Sequence, residues 1–335
     1  MTLPSPTRHD GPDGSRIYAF PVRVFGDFTA NIHLLIHGDY RALIDTGSGS
    51  EQSNQDLLAG MAAVQTQYGE PVDWAGLSRI VVTHGHIDHH GGLDLLRSLT
   101  PAPVAVHELD APVLTRHRER LALSRRALRI FLATAGLNAE QQAAMTRLYG
   151  SARSTFQGGP VETILLHGDL LDDRLEVLHT PGHSPGQVCL RLGDVLLSAD
   201  QLLARTTPHL APESILPGTG LNHYLHSLTL LERQPGLRLA LGGHEEPMPD
   251  VYDRIQQIRD SHQRKLERIV ELCREPRSIA EVRDLLYPQV RHYDVLLSLQ
   301  KVGALMEYLN QRGDLQVANL EPLEQDPAVF PLYVS

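Results

Sequence analysis

Thr83-His84-Gly85-His86-Ile87-Asp88-His89-His90-Gly91-Gly92 follows directly on the strand-like run Arg79-Ile80-Val81-Val82. Four histidines and one aspartate stand within seven residues, on a segment leaving the end of a strand. Imidazole nitrogen is a borderline-soft donor and carboxylate oxygen a hard one. Together at a strand end they make a metal site by composition and place. The spacing says more than the count. In extended or tightly turned chain His84 and His86 point the same way, because side chains repeat every second residue. Asp88 and His89 lie beyond the turn and can serve a second centre. Two adjacent metal ions are the natural reading. Gly91-Gly92 then lets the backbone turn closely under the site and into a helix beginning near Leu93.

This stretch resembles the T-H-x-H-x-D-H-x-G-G signature of the metallo-β-lactamase superfamily. Three later segments resemble its remaining motifs in order: Thr180-Pro181-Gly182-His183-Ser184-Pro185-Gly186, Ser198-Ala199-Asp200 and Gly242-Gly243-His244. The resemblance implies an α/β protein, an αββα sandwich over residues 17–248. It implies one zinc on His84, His86 and His183, a second on Asp88, His89 and His244, and Asp200 bridging the two. Asp88 and Asp200 would also be the catalytic carboxylates, orienting the attacking water and moving its proton. Iron or manganese would suit the same donors. Zinc β-lactamases often carry cysteine where Asp200 stands, and flavodiiron proteins carry Glu where Gly85 stands. The set is instead similar to that of glyoxalase II and its acyl-CoA or acyl-carrier relatives, which implies a thioester or other ester hydrolase. A lactonase would use the same chemistry. A phosphodiesterase or single-strand ribonuclease is the second reading, and a regulatory protein with vestigial activity the third.

The whole chain sets bounds on these readings. Its 335 residues suit one large domain or two, and 41% hydrophobic with 21% charged residues allows a sizeable core. A net charge of −10 makes it a poor generic partner for nucleic acid or an anionic membrane surface. The only cysteines, Cys189 and Cys273, read as two unpaired buried thiols in a reducing compartment. Residues 1–16 are rich in Pro, Gly, Ser and Asp and read as a flexible N-terminus without a signal-peptide core. No segment approaches about 18 uninterrupted apolar residues. A cytoplasmic protein acting on a small-molecule acyl substrate is expected, and a homodimer is left open.

From Ile17 the chain reads as strands: Ile17 to Val24, Asn31 to His37 and Arg41 to Ile44, with Gly38-Asp39 as a two-residue hairpin turn. His33 alternates with apolar neighbours and reads as structural. Asp45-Thr46-Gly47-Ser48 imitates an aspartic-protease tetrad, but those enzymes need two such carboxylates and the chain has one copy. In the superfamily resemblance Asp45 instead supports the metal loop from behind its ligands. Glu51 to Gln67 has helical spacing.

Residues 107–158 read as a helical insertion. Arg116, Arg118, Arg120, Arg125, Arg126 and Arg129 suggest either a solvated amphipathic pair or a lid that uses arginines on an anionic carrier. His107 and His117 are left as non-ligands. Arg205 to Asn222 is turn-rich and reads as a loop flanking a pocket, with Arg205, His209 and Tyr224 as candidate substrate contacts.

Pro247-Met248-Pro249-Asp250 marks a candidate boundary. Beyond it come a long helix, a second beginning at Ser278 with capping-box spacing to Glu281, a third over Val295 to Gln311, and a strand-like Asp314 to Ala318. Residues 249–335 resemble the winged-helix module that follows the catalytic domain in a lactamase-beta-like hydrolase family. This segment has 11 Lys/Arg against 14 Asp/Glu, a balance that favours packing, dimerising or shaping a substrate over binding nucleic acid.

Overall fold

The computed structural model describes residues 3–151, 156–291 and 293–335. The chain begins with four antiparallel strands, β1 (Thr7–Asp10), β2 (Arg16–Phe25), β3 (Phe28–His37) and β4 (Tyr40–Ile44). Then come α1 (Glu51–Tyr68), β5 (Arg79–Val81), the one-turn α2 (Ile87–His90), α3 (Leu93–Leu99) and β6 (Val104–His107). The insertion forms α4 (Ala111–Thr115), α5 (His117–Thr134) and α6 (Ala139–Ser151), after which β7 (Thr163–Leu165) completes the first sheet. Its strands lie in sequence order from β1 to β7, and β4 to β7 run parallel.

The hairpin at Gly38-Asp39 is as the sequence indicates, with His37 paired to Tyr40. The N-terminus is not the flexible tail its composition suggests: β1 pairs with β2 from Thr7↔Ala19 to Asp10↔Arg16. Its side chains are largely exposed, so an edge strand held by main-chain bonds gives no hydrophobic alternation to read.

The second sheet contains β8 (Leu170–Leu171), β9 (Leu175–His179), β10 (Val188–Leu192), β11 (Val195–Ala199) and, after α7 (Leu221–Glu232), β12 (Leu239–Gly242), in the order β12-β11-β10-β9-β8. Alternation along the strands sends one set of apolar side chains between the sheets. There Leu35, Ala42, Ile44, Val81 and Ala105 meet Val177, Val188, Leu190, Leu197 and Leu241. The opposite face of the first sheet packs Phe20, Leu34, Leu43 and Ile80 against Leu57, Met61 and Val64 of α1 and Leu93 and Leu96 of α3. The result is a four-layer αββα sandwich.

The outer helical layer on the second sheet is composite. Leu178, Cys189, Leu196 and Ala240 from the strands share one buried cluster with α7 and with Leu128, Phe131 and Leu132 of α5. The same cluster takes in α8 (Val251–Leu272), α9 (Ile279–Leu286) and α10 (Tyr293–Arg312). Ser278 caps α9 in the box expected with Glu281. The chain ends in β13 (Gln316–Val317), α11 (Leu320–Gln325) and β14 (Tyr333–Val334), where β13 and β14 pair antiparallel over two residues each. The described residues of 249–335 share apolar packing with the second sheet and with the insertion, and the Ala280 amide donates to the Ala135 carbonyl at 2.8 Å. Both cysteines are free and buried. Among the described residues no helix is long and apolar enough to cross a membrane.

Candidate metal centre

Strand ends converge on one edge of the sandwich. Asp45 follows β4, His84 and His86 follow β5, Asp200 follows β11 and His244 follows β12, while His183 lies in the turn between β9 and β10. Asp88 and His89 sit in α2, a single helical turn that the sequence does not announce. Ligating groups at strand C-termini are the general habit of such sheets.

Three triads of donor atoms lie within 4.8 Å of one another: His84, His86 and His183; His84, His89 and Asp200; and Asp88, His89 and His244. His84 Nε2 is 3.1 Å from His86 Nδ1 and 3.2 Å from His183 Nε2. An ion bound tetrahedrally at about 2.0–2.1 Å from nitrogen would separate its ligands by about 3.3 Å, so the first triad has the spacing of a coordination sphere. Asp200 reaches across the cluster, with Oδ2 3.3 Å from His183 Nε2 and 3.4 Å from His244 Nε2, and Oδ1 3.6 Å from His89 Nε2. Asp88 Oδ2 is 3.7 Å from His89 Nε2 and 3.6 Å from His244 Nε2. His89 Nε2 and Asp200 Oδ1 are buried without a hydrogen-bond partner, which fits donors reserved for a cation.

The far nitrogens fix which lone pair faces the cluster. His89 Nδ1 is 2.8 Å from Asp45 Oδ2, His183 Nδ1 2.7 Å from the His209 carbonyl and His244 Nδ1 2.6 Å from the Thr29 carbonyl. Each of those oxygens stands where it can accept the Nδ1 proton, which turns Nε2 toward the cluster. Asp45 does more than hold His89: it also accepts from the Thr83 amide at 2.8 Å and the Thr83 hydroxyl at 2.9 Å. Asp45 thus ties the His89 ring to the start of the same loop.

Electrostatics follow the same geometry. Burial, then the neighbouring imidazoles His89, His86 and His183, push the pKa of His84 well below its ordinary value. Burial opposes protonation of His89 as well, but Asp200, Asp45 and Asp88 together outweigh it and raise its pKa. For Asp200, burial favours the neutral acid and is overcome by His244, His89 and His183, so the carboxylate stays ionised.

The local backbone carries strain where the ligands are presented. Asp45, Ala199 and Glu245 adopt positive φ of 66°, 45° and 65°, each at or next to a site residue. Gly243 is required by close approach, because a Cβ there would run into Asp200 Oδ1 and stand 2.8 Å from His89 Cε1.

The candidate substrate contacts fare differently. His209 is beside the cluster, but its carbonyl is what engages His183. Arg205 is exposed and paired with Glu246 at 3.2 Å, and its amide donates to Glu245. Tyr224 does not line an open site: it is fully buried, and its hydroxyl donates to the Gln201 carbonyl at 2.8 Å, bracing the segment after Asp200. Burial raises its pKa. An aromatic at helical spacing packs inward, and here α7 faces the core.

His33, His107 and His117 belong to none of the triads. His107 stacks on His179 at 3.9 Å, and burial followed by His179 pushes its pKa down to about 4.

The sequence reading missed Asp110. Its buried carboxylate accepts from the Gly85 amide at 2.6 Å, the Ser184 hydroxyl at 2.6 Å and the Gly186 amide at 3.1 Å. One side chain thereby ties the His84–His86 loop to the His183 loop. The available signal was its place in the short turn after β6, three residues beyond the strand end.

A four-layer αββα sandwich with this histidine and aspartate cluster at the loop edge defines a class of metal-dependent hydrolases. The chain belongs to the metallo-beta-lactamase superfamily, whose family model matches residues 25–273. It is 23% identical to the probable metallo-hydrolase YqjP of Bacillus subtilis (strain 168) over 288 residues, 82% of this chain and 86% of that one. It is 32% identical to the acyl-coenzyme A thioesterase MBLAC2 of Gallus gallus over 201 residues, 56% of this chain and 64% of that protein. The match therefore spans under two thirds of the thioesterase. A metallo-beta-lactamase family protein from Thermus thermophilus superposes with a TM-score of 0.75 at 25% identity, covering 95% of this chain and 98% of that one. A beta-lactamase domain protein from Burkholderia ambifaria has a TM-score of 0.78 at 22% identity, covering 99% and 96%, a likeness of fold.

Proposed function

We propose that this chain is a dinuclear metal-dependent thioesterase acting on acyl groups carried by a phosphate-bearing thiol such as coenzyme A. The observation that carries the reading is Asp200, whose carboxylate stands within 3.3–3.6 Å of one histidine from the first triad and two from the third. The likeness to an acyl-coenzyme A thioesterase supports the substrate class.

His84, His86 and His183 would hold one ion and Asp88, His89 and His244 another, with Asp200 common to both. Bound there, the ions supply Lewis-acid polarisation of a carbonyl and lower the pKa of water. Zinc suits the nitrogen-rich donors, as iron or manganese would.

The rest of the work falls to the protein. Asp88 is the more open of the two carboxylates, its side chain 13% exposed against 8% for Asp200. It accepts the proton of the attacking water and hands it to the departing thiolate. Asp200, held ionised, orients that water. The Nδ1 contacts of His89, His183 and His244 keep the rings from turning as charge develops.

No side-chain nucleophile is needed. The Cys189 thiol is buried with its pKa pushed up to about 12, and the Ser184 hydroxyl is committed to Asp110. The reaction is direct hydrolysis without an acyl-enzyme. We read residues 249–335 as a winged-helix-type element that shapes the substrate site; its surplus of acid over base supports this over nucleic-acid binding.

The test is turnover by zinc-loaded protein of acyl-CoA and acylglutathione thioesters, an acyl-homoserine lactone, a bis-aryl phosphodiester and single-stranded RNA. Acyl-CoA is expected to turn over with kcat/KM above about 10⁴ M⁻¹s⁻¹ and the phosphodiesters not at all. Cleavage of RNA alone would end the thioesterase reading.

A further inference from the structure

Thirty residues of the chain are lysine or arginine, and only two, Lys265 and Lys301, are lysine. Those two, from α8 and α10, end at the same residue. Lys301 Nζ donates to Thr207 Oγ1 at 2.7 Å and to the Thr207 carbonyl at 2.9 Å. Lys265 Nζ stands 3.4 Å from the same Oγ1 and 2.7 Å from Ser261 Oγ. Neither lysine forms an ion pair with a carboxylate among the described residues.

The charged groups acting on Lys265 are Arg264 and Arg254, and the one acting on Lys301 is Lys265, cations all. Burial and then this repulsion push the Lys301 pKa down to about 7. Two ammonium groups gathered on one hydroxyl without a counter-charge repel each other and pay for desolvation as well, and a bound anion reverses both effects. Lysine, a compact point charge with three rotatable donors, suits a phosphate approached from one side.

A second observation points to the same spot. His262 lies on α8 just before Lys265 and is 1% exposed, and neither of its ring nitrogens has a hydrogen-bond partner. Burial and then the charges of Lys301 and Lys265 push its pKa down to about 3, and positions 262 and 265 are neighbours one turn apart on α8. A buried imidazole with both nitrogens unpartnered is rare in a finished core.

The place is next to the metal cluster. Thr207 is two residues from His209, whose carbonyl takes the Nδ1 proton of His183, a span of at most about 7 Å of extended chain. Both lysines are partly open to solvent. Arg254 is already engaged with the Leu203 and Thr206 carbonyls, at 2.6 and 2.7 Å, and so anchors the same loop.

We propose that Lys265, Lys301 and the Thr207 hydroxyl form a subsite for a phosphate on the carrier end of the substrate, with His262 beneath it, an inference that rests on the thioesterase reading above. The subsite fixes the carrier so that the acyl carbonyl reaches the metal cluster, and its effect falls on KM.

The experiment uses full-length metal-loaded protein and two substrates with the same acyl group, one on coenzyme A and one on pantetheine, which has no phosphate. Wild type is expected to show a KM at least about tenfold lower for the coenzyme A ester, the worth of one charge-assisted contact. Lys265→Met is the primary variant, because it leaves both bonds of Lys301 to Thr207 in place. It should shrink that preference toward unity, and Lys265→Arg should restore most of it. Calorimetric titration with adenosine 3′,5′-bisphosphate provides a readout free of turnover, with Kd about tenfold weaker in Lys265→Met.

Equal KM for the two esters in wild type, or bisphosphate binding unchanged by Lys265→Met, would overturn the subsite and leave the thioesterase reading standing. Absence of any thioester turnover, with bisphosphate binding that still depends on Lys265, would remove the thioesterase reading and keep the phosphate site.

Discussion

At the loop edge of the sandwich the reactive side chains are held from behind: His89 by Asp45, His183 by the His209 carbonyl, His244 by the Thr29 carbonyl, and two loops together by Asp110. At the start of α5 and along it the arginines Arg116, Arg118, Arg126 and Arg129 are exposed, while Leu128, Phe131 and Leu132 of the helix pack into the core. The contrast is between side chains tied to hydrogen-bond partners behind them and side chains left to solvent. Metal chemistry needs the first, because ligand direction sets affinity and reactivity. The second are free to change without disturbing that chemistry, which suits an outer layer that adapts one reaction to different substrates.

The largest effect is expected at the point where the fixed region is most interconnected. Asp200→Ala removes the carboxylate that reaches histidines of all three triads, so kcat/KM on the acyl-CoA ester should fall by at least about 10³. Elemental analysis should find fewer than two ions per chain. Two tightly held ions with activity within tenfold of wild type would show that Asp200 is not shared, and the loop edge would then be less interdependent than its geometry implies.

Next comes Asp110. Asp110→Ala strands two buried donors, the Gly186 amide and the Ser184 hydroxyl, at about 1–3 kcal/mol each before relaxation, and the half-buried Gly85 amide besides. A loss of about 3–5 kcal/mol in denaturant unfolding is expected, with metal affinity weakened about 10–100-fold because both ligand loops loosen together. A loss of stability without any change in metal affinity would make Asp110 a core residue only.

Phe131→Ala probes the other region. Phe131 is 5% exposed in the cluster shared by α5, the second sheet and the C-terminal helices, and its ring lies against Gly303 of α10, where a Cβ would come within 2.7 Å. Truncation should cost about 3–5 kcal/mol while leaving two metal ions bound. A cost under about 1 kcal/mol would mean that the insertion is a detachable cover instead of part of the outer layer.

The two regions also differ in how far they could be read from the amino acids. His84, His86, Asp88, His89, His183, Asp200 and His244 lie in short motifs at strand ends. A few residues specify direction and spacing there, so local chemistry carries the information. Asp110 is one carboxylate among forty acidic residues, and its role arises only when β6 is placed beside β5 and the β9–β10 turn comes down on it. Tyr224 reads equally as a pocket aromatic or a packed one, because helical spacing alone does not say which side of α7 meets the core. Lys265 and Lys301 are 36 residues apart on two helices, and nothing local marks them as neighbours. Rarity of lysine in an arginine-rich chain was the available signal. The edge strand β1 was invisible for the opposite reason, since its stability comes from main-chain pairing that its side chains do not advertise.

The smallest expected effect belongs to the arginines of α5. Arg118→Ala with Arg126→Ala removes two exposed cations from a helix whose buried face is untouched, so unfolding free energy should move by less than about 0.5 kcal/mol. With Lys265 and Lys301 taking the carrier phosphate, kcat/KM on the acyl-CoA ester should stay within about twofold at an ionic strength of 0.15 M, where exposed charges beyond about 8 Å are screened. A tenfold rise in KM for the coenzyme A ester, with none for the pantetheine ester, would place the α5 arginines on the carrier and make the insertion the lid its charge pattern first suggested. An unchanged KM beside a large effect of Lys265→Met would divide the cations cleanly. The few lysines held inside the layer would then select the substrate, and the many arginines outside would serve solubility.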